Sequence, residues 1–234
     1  VVGFTFMYEL SYTNMLNMLD LAGIPLLAED RKDLAPIICC GGPCACNPEP
    51  IVDFVDIVFL GDGEESTMQV LDLLKECKKN GESKHEFLMK AKDIRGVYVP
   101  SFYKDSYNDD GTLKEIKPIN GAPARVKKAV VSDMNKCFYP SSFVVPYIGI
   151  VHDRAVEEIF RGCIRGCRFC QAGFTYRPIR EKSVETINEQ AKALIKSTGY
   201  DELSLCSLST SDHSCVNEML SSLIDWTVKD KISL

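Results

Sequence analysis

Apolar positions along this chain recur in two rhythms, and the places where one gives way to the other mark its elements. Residues 1–6, 35–40 and 56–60 are short apolar runs of strand length. Between the first two, Met15, Leu16, Met18, Leu19 and Ala22 fall at helical spacing until Gly23 and Pro25 end the pattern. After the third run, Met68, Val70, Leu71, Leu73 and Leu74 form the apolar stripe of an amphipathic helix over 66–79. Residues 48–54 predict a further short helix. Strand–helix alternation of this kind predicts a parallel, doubly wound sheet.

The rhythm then changes. Residues 84–93 read as helix, and 97–103 and 113–116 as strands around the turn Asn108-Asp109-Asp110-Gly111, a hairpin signal. Residues 124–131 add a strand, and the stretch to 151, with Pro140 and Pro146, reads as extended. A second α/β pattern follows. It has a strand over 155–161, a helix capped by Ser183 and stopped by Gly199, and a strand over 202–206. A helix then starts near 213 with Val216, Met219, Leu220, Leu223 and Ile224 on one face, and another strand begins at Ile232. This order predicts the first half of a β/α barrel. The fold class is therefore α/β: a Rossmann-like domain over 1–83, a β-rich connector over 84–150 and a partial barrel over 151–234. The chain opens inside a strand pattern without Met and closes at the start of another, so it reads as a fragment cut at both ends.

Composition narrows the class. Apolar residues at 45% and charged residues at 26% are those of an ordinary globular protein. No apolar run approaches the roughly 20 residues of a membrane span and no leader opens the chain, so the expectation is a cytoplasmic protein with no membrane partner. A net charge of −6 argues against general nucleic-acid binding. Locally the balance reverses: Arg161, Arg165, Arg168, Arg177, Arg180 and Lys182 face one acid, Glu181. That stretch is either a solvated basic face or a site for carboxylate or phosphate groups.

The cysteines favour the second. Eleven of them, without a sign of secretion, point to metal binding or chemistry rather than disulfides. Cys39, Cys40, Cys44 and Cys46 form one group, in which Cys39 and Cys40 point to opposite faces of a strand and read as small buried residues. The decisive group lies in Arg161-Gly162-Cys163-Ile164-Arg165-Gly166-Cys167-Arg168-Phe169-Cys170, spaced C-x₃-C-x₂-C directly after a strand. Three thiolates so spaced can ligate three irons of a [4Fe–4S] cluster and leave the fourth open. Gly162 and Gly166 let the backbone fold tightly around such an object. A zinc site is the alternative; zinc usually takes four ligands, and Cys206, at the end of the next strand, would be the fourth.

This run, with Phe169 just before the last cysteine, resembles the radical S-adenosylmethionine (radical SAM) superfamily. The resemblance implies that the open iron binds the amino and carboxylate groups of S-adenosylmethionine (SAM). Reductive cleavage then yields a 5′-deoxyadenosyl radical, with Phe169 near the adenine. It also implies that the polar turn containing Ser207, Ser209 and Asp212 contacts the amino group, as acceptors suited to an ammonium. Gly41-Gly42-Pro43 and Gly61-Asp62-Gly63-Glu64-Glu65 resemble the cobalamin (B12)-binding domain that precedes many radical SAM enzymes, which makes Gly41, Gly42, Gly61 and Gly63 candidate cobalamin neighbours. The histidine-bearing D-x-H-x-x-G loop of many such domains is absent. His85, His152 and His213 sit in no such motif, and His85 and His213 read as surface residues. Together these features are closest to a largely uncharacterised family of B12-binding-domain radical SAM proteins. Such an enzyme implies an electron donor such as a flavodoxin or ferredoxin, and a substrate, small molecule or RNA, that the sequence does not identify. Two alternatives stay open: a methylthiotransferase-like enzyme without cobalamin, and a non-catalytic metal- or nucleic-acid-binding module.

Overall fold

A computed structural model describes residues 1–234 and divides into two units, Val1–Val131 and Ser132–Leu234. In the first, β1 (Val2–Thr5), β2 (Ile38–Gly41), β3 (Ile57–Phe59) and β4 (Val97–Tyr98) form one sheet in that order. The first three strands are parallel, and β4 runs antiparallel to β3. Successive side chains of a strand point to opposite faces, so two cores form. Cys39, Ile57 and Val97 meet Val70 and Leu74 of α2 (Ser66–Asn80) and Phe87 of α3 (Lys84–Ala91). Cys40, Val58 and Tyr98 meet Met15 and Leu19 of α1 (Ser11–Leu21). Adjacent Cys39 and Cys40 thus belong to different cores. Burial pushes their thiols up to about 11 and about 12, which leaves them neutral packing groups.

The strand expected over 97–103 breaks at Pro100, which has no N–H to give a ladder. A 3-10 turn, Pro100–Phe102, leads instead into a hairpin of β5 (Tyr103–Tyr107) and β6 (Leu113–Pro118). The strand expected over 124–131 makes only a single bridge, Gly61 to Ala129. That bridge is tight: Ala129 N–H donates to the Leu60 carbonyl at 2.8 Å and Asp62 N–H to the Ala129 carbonyl at 3.0 Å. That bridge lies near the end of the first unit, Val1–Val131. Gly61 has φ +96°, and a Cβ there would lie 2.1 Å from the Ala129 carbonyl oxygen. Gly61→Ala is expected to destabilise this unit by about 3 kcal/mol, strain and overlap combined. Gly111→Ala, at φ +79° but in open space, is expected to cost only about 1 kcal/mol. Urea unfolding followed by circular dichroism checks both.

In the second unit, β7 (Ala155–Glu158) and β10 (Leu203–Cys206) pair in parallel, and Ser233 continues the set through a parallel bridge to Glu202. The expected single strand over 155–161 divides at Ile159. Phe160–Arg161 (β8) leaves the β7 ladder and pairs antiparallel with Arg180–Glu181 (β9), beyond the short helix α4 (Ala172–Thr175). Helices α5 (Val184–Thr198) and α6 (Val216–Asp230) cover one face, with Ile187, Leu194, Met219 and Leu223 packed on Ala155 and Leu203. Ser183 caps α5 by accepting from Thr186 N–H, and Gly199 ends it in the left-handed conformation. The architecture is α/β with an open, unclosed barrel segment. No helix is long and apolar enough to cross a membrane.

Candidate functional site: a cysteine loop pinned at its neck

Residues 162–179 form a loop whose two ends are held side by side by the β8–β9 pairing, Arg161 opposite Arg180. Gly162 makes this possible. Its φ is +92°, and a Cβ would come within 2.8 Å of the Pro178 carbonyl and 3.0 Å of Ile179 Cα. Arg180 is buried and donates to the carbonyls of Pro178 (3.1 Å) and Tyr176 (3.2 Å), so its charge binds the returning chain. Arg161 holds Glu158 with two hydrogen bonds, at 2.8 and 3.0 Å. Lys182 is buried too: its ammonium lies 2.8 Å from Glu157, 2.6 Å from Gln190 and 3.9 Å from the centre of the Tyr139 ring. Half of the basic stretch is thus structural. Arg168 is exposed, and the Arg177 guanidinium stacks over Phe174 at 4.6 Å.

Within the loop, all three cysteines are free thiols, Cys163 and Cys170 partly buried and Cys167 exposed. Arg165 N–H points to Cys163 Sγ at 3.4 Å, and Cys170 N–H donates to the Cys167 carbonyl at 3.0 Å. The thiols do not converge on one point as a single ion would require. An iron–sulfur cluster takes one thiolate on each of three irons and needs no such convergence. Three sulfur donors free of disulfides on an accessible loop fit that group.

The loop is tied to the turn after β10. Arg165 clasps Asp212 with both arms of its guanidinium, Nε donating to Oδ2 at 2.6 Å, and Ser209 donates to the same oxygen at 2.7 Å. Arg165 first, then Ser209, hold the Asp212 carboxyl below its usual range, so it stays an anion. Of the residues expected to contact SAM, the structure therefore gathers Ser209 and Asp212 at the cysteine loop. Ser207 bonds Thr210 instead, at 2.9 Å, and Phe169 is 92% exposed.

Two further residues join the turn to the loop's return, and neither stood out in the sequence. Glu181 accepts from the backbone N–H and hydroxyl of Ser214. His213, expected at the surface, is buried. Its Nδ1 accepts from Cys215 N–H at 3.1 Å, so Nε2 carries the proton donated to the Lys182 carbonyl, also 3.1 Å away. Their partners lie about thirty residues away, beyond the reach of periodicity.

The four glycines lie in the first unit, and at two of them the backbone fills the space a side chain would take. A Cβ on Gly42 (φ +97°) would meet the Phe6 carbonyl at 2.6 Å, and one on Gly61 the Ala129 carbonyl. A Cβ on Gly41 would be 3.6 Å from Phe59 and one on Gly63 3.2 Å from Thr67. At Gly42 and Gly61 the need for glycine comes from backbone packing, whereas Gly41 and Gly63 face side chains and have no positive φ.

Residues 1–100 match the family described as radical SAM proteins, N-terminal. An uncharacterised protein of Methanocaldococcus jannaschii is 26% identical over 226 residues, covering 96% of this chain and 41% of that protein. The fold is similar to the radical S-adenosylmethionine methyltransferase TsrM of Kitasatospora setae. With its tryptophan substrate and a SAM analogue bound, TsrM superposes with a TM-score of 0.58 at 11% identity. With cobalamin and a [4Fe–4S] cluster bound, the values are 0.54 and 12%. Each match covers 96% of this chain and 40% of TsrM, so the chain spans about two fifths of the length of the proteins it resembles. The family match thus lies within the first unit, the C-x₃-C-x₂-C loop lies in the second, and the fold of both is shared with TsrM.

Proposed function

We propose that the protein is a radical SAM enzyme in which Cys163, Cys167 and Cys170 hold a [4Fe–4S] cluster. The observation that carries this is the loop itself: three free thiols at C-x₃-C-x₂-C, pinned at the neck by Gly162 and Arg180 and joined through Arg165 to Asp212. When bound, the cluster supplies an electron, taken from a flavodoxin- or ferredoxin-type donor, that cleaves SAM to methionine and a 5′-deoxyadenosyl radical. The chain's residues position the cofactor. Asp212, kept anionic and oriented by Ser209, is the acceptor for the ammonium of SAM. Arg165 and Arg168 offset the negative charge of thiolates and SAM carboxylate. The β8–β9 neck fixes where the thiols stand.

Cobalamin-dependent methyl transfer is the second reading, supported by the fold shared with TsrM, a methyltransferase that binds cobalamin. A nucleic-acid-binding module is disfavoured because five of the six cations already hold partners within this unit.

The test uses the full-length protein, reconstituted anaerobically with iron and sulfide and then reduced in the presence of SAM. Formation of 5′-deoxyadenosine and methionine is expected, and a full cluster without cleavage would overturn the reading. Asp212→Asn is expected to weaken SAM binding about tenfold to a hundredfold while leaving the iron content unchanged. Corrinoid content of the purified protein decides the second reading.

A further inference from the structure

Asp212 is held from two sides, and the two are unequal. On one side stands Arg165, whose side chain is 59% exposed. Exposed ion pairs contribute little and are weakened by salt. Arg165 also grips the carboxylate that an ammonium would have to share, so by itself it is a poor anchor for that group.

On the other side lies β9. Its first residue, Arg180, pairs with Arg161 at the neck of the cysteine loop. Its second, Glu181, reaches Ser214: Oε1 accepts from the backbone N–H at 2.9 Å and Oε2 from the hydroxyl. Lys182 follows, its N–H donating to the Ile159 carbonyl at 3.0 Å. The Lys182 carbonyl accepts from Nε2–H of His213, whose ring is buried 6.0 Å from that of Phe160. Three consecutive residues thus set, in one register, the neck of the cysteine loop and the two residues directly after Asp212. Asp212 itself ends a 3-10 turn, Thr210–Asp212, closed by its N–H on the Ser209 carbonyl at 2.8 Å. A turn that short has little freedom once the residues following it are fixed.

We propose that Glu181 is a positioning residue for SAM: by holding Ser214 it sets the Asp212 carboxylate relative to the cysteine loop, and the SAM ammonium is bound through that placement. The proposal rests on the reading of the loop as a SAM site. Glu181 also stands beside the start of α6, where an acceptor for a free N–H would serve as an ordinary helix cap. The two roles differ in what their loss disturbs: a cap's loss loosens α6, whereas a positioning residue's loss displaces Asp212.

The test uses the full-length protein, reconstituted with iron and sulfide, with SAM affinity measured by equilibrium dialysis before any reductant is added. Glu181→Ala is expected to weaken SAM binding about tenfold with iron content unchanged. Glu181→Gln keeps an acceptor for the Ser214 N–H and is expected to recover most of that loss. In an Asp212→Asn background Glu181→Ala should add nothing, because residues acting through one another are not additive. Hydrogen exchange of the protein without its cluster is the second readout. In Glu181→Ala the amides of 212–215 should exchange about tenfold faster, with α6 beyond its first turn unchanged. Val228→Gly, at an exposed position late in α6, should speed exchange in that helix instead and leave SAM affinity as it was. If Glu181→Ala fails to fold, Ser214→Ala, which removes only the hydroxyl, is expected to weaken SAM binding about threefold. Three results would each overturn the proposal: equal SAM affinity in parent and variant, full additivity with Asp212→Asn, or equally faster exchange through turn and α6. The last would mark a helix cap. A parent that binds no SAM would instead overturn the enzymatic reading, and this role with it.

Discussion

Alanine at any one of Cys163, Cys167 or Cys170 is expected to leave the reconstituted protein without its iron–sulfur absorbance and without the paramagnetic signal of the reduced state. The effect should be near total. A cluster bound through only three protein thiolates has no redundant ligand, and its affinity falls steeply when one is lost. Iron should drop from about four per chain to a small fraction of that. Cys206→Ala is the informative control. Cys206 is an exposed free thiol at the end of β10, and it is the fourth ligand in the zinc alternative. A cluster keeps its iron in Cys206→Ala, whereas a closed zinc site loses its metal. Cys39 and Cys40, neutral and sealed in separate cores, should not affect iron content either.

How far each feature was legible in the sequence follows from the range of the interaction behind it. The α/β alternation was plain because strand and helix periods are local, and the opposed burial of Cys39 and Cys40 followed from the same period of two. The break at Pro100 was missed: 97–103 read as one strand, although a residue without an N–H cannot continue the ladder. The division of the 155–161 run was hidden, because Phe160 and Arg161 pair with a strand that returns only after the whole cysteine loop. Gly42 and Gly61 were legible as positions needing glycine but not as to why. Their neighbours, Phe6 and Ala129, are distant in sequence, and a pattern of glycines at strand ends reads the same whether backbone or ligand fills the space. The cysteine group was legible from spacing alone as the candidate cluster site. Its tie to Asp212 through Arg165, and the fate of Arg180 and Lys182 as buried structural groups, required the fold.

Lys182 shows how much that distinction matters for stability. Read as part of a basic face, it would be replaceable at little cost; exposed charges rarely contribute more than about 1 kcal/mol. In the structure Lys182 and Glu157 are both buried, 2.8 Å apart, at the point where the cysteine loop rejoins the barrel segment. Desolvation raises the Glu157 pKa, and the Lys182 ammonium opposes that rise. Lys182→Met leaves the carboxylate buried without its counterion, and the expected loss for the second unit is about 3–5 kcal/mol. Trp226, the single tryptophan, is bonded to Asn188 within this unit, so its fluorescence follows the unfolding directly. Adding Glu157→Gln should recover most of the loss, because a neutral pair removes the uncompensated charge that causes it. The pH dependence has a definite sign. A carboxyl whose native pKa lies above its unfolded value takes up protons on folding, so its contribution is fully present below the ordinary carboxylate range and disappears as pH rises through the raised value. Without Lys182 the Glu157 pKa rises further, and the Lys182→Met variant should regain stability on acidification across that window. The double variant should show no such recovery. A Lys182→Met variant as stable as the parent at neutral pH would mean that Glu157 is already protonated there, and that the pair is a neutral hydrogen bond.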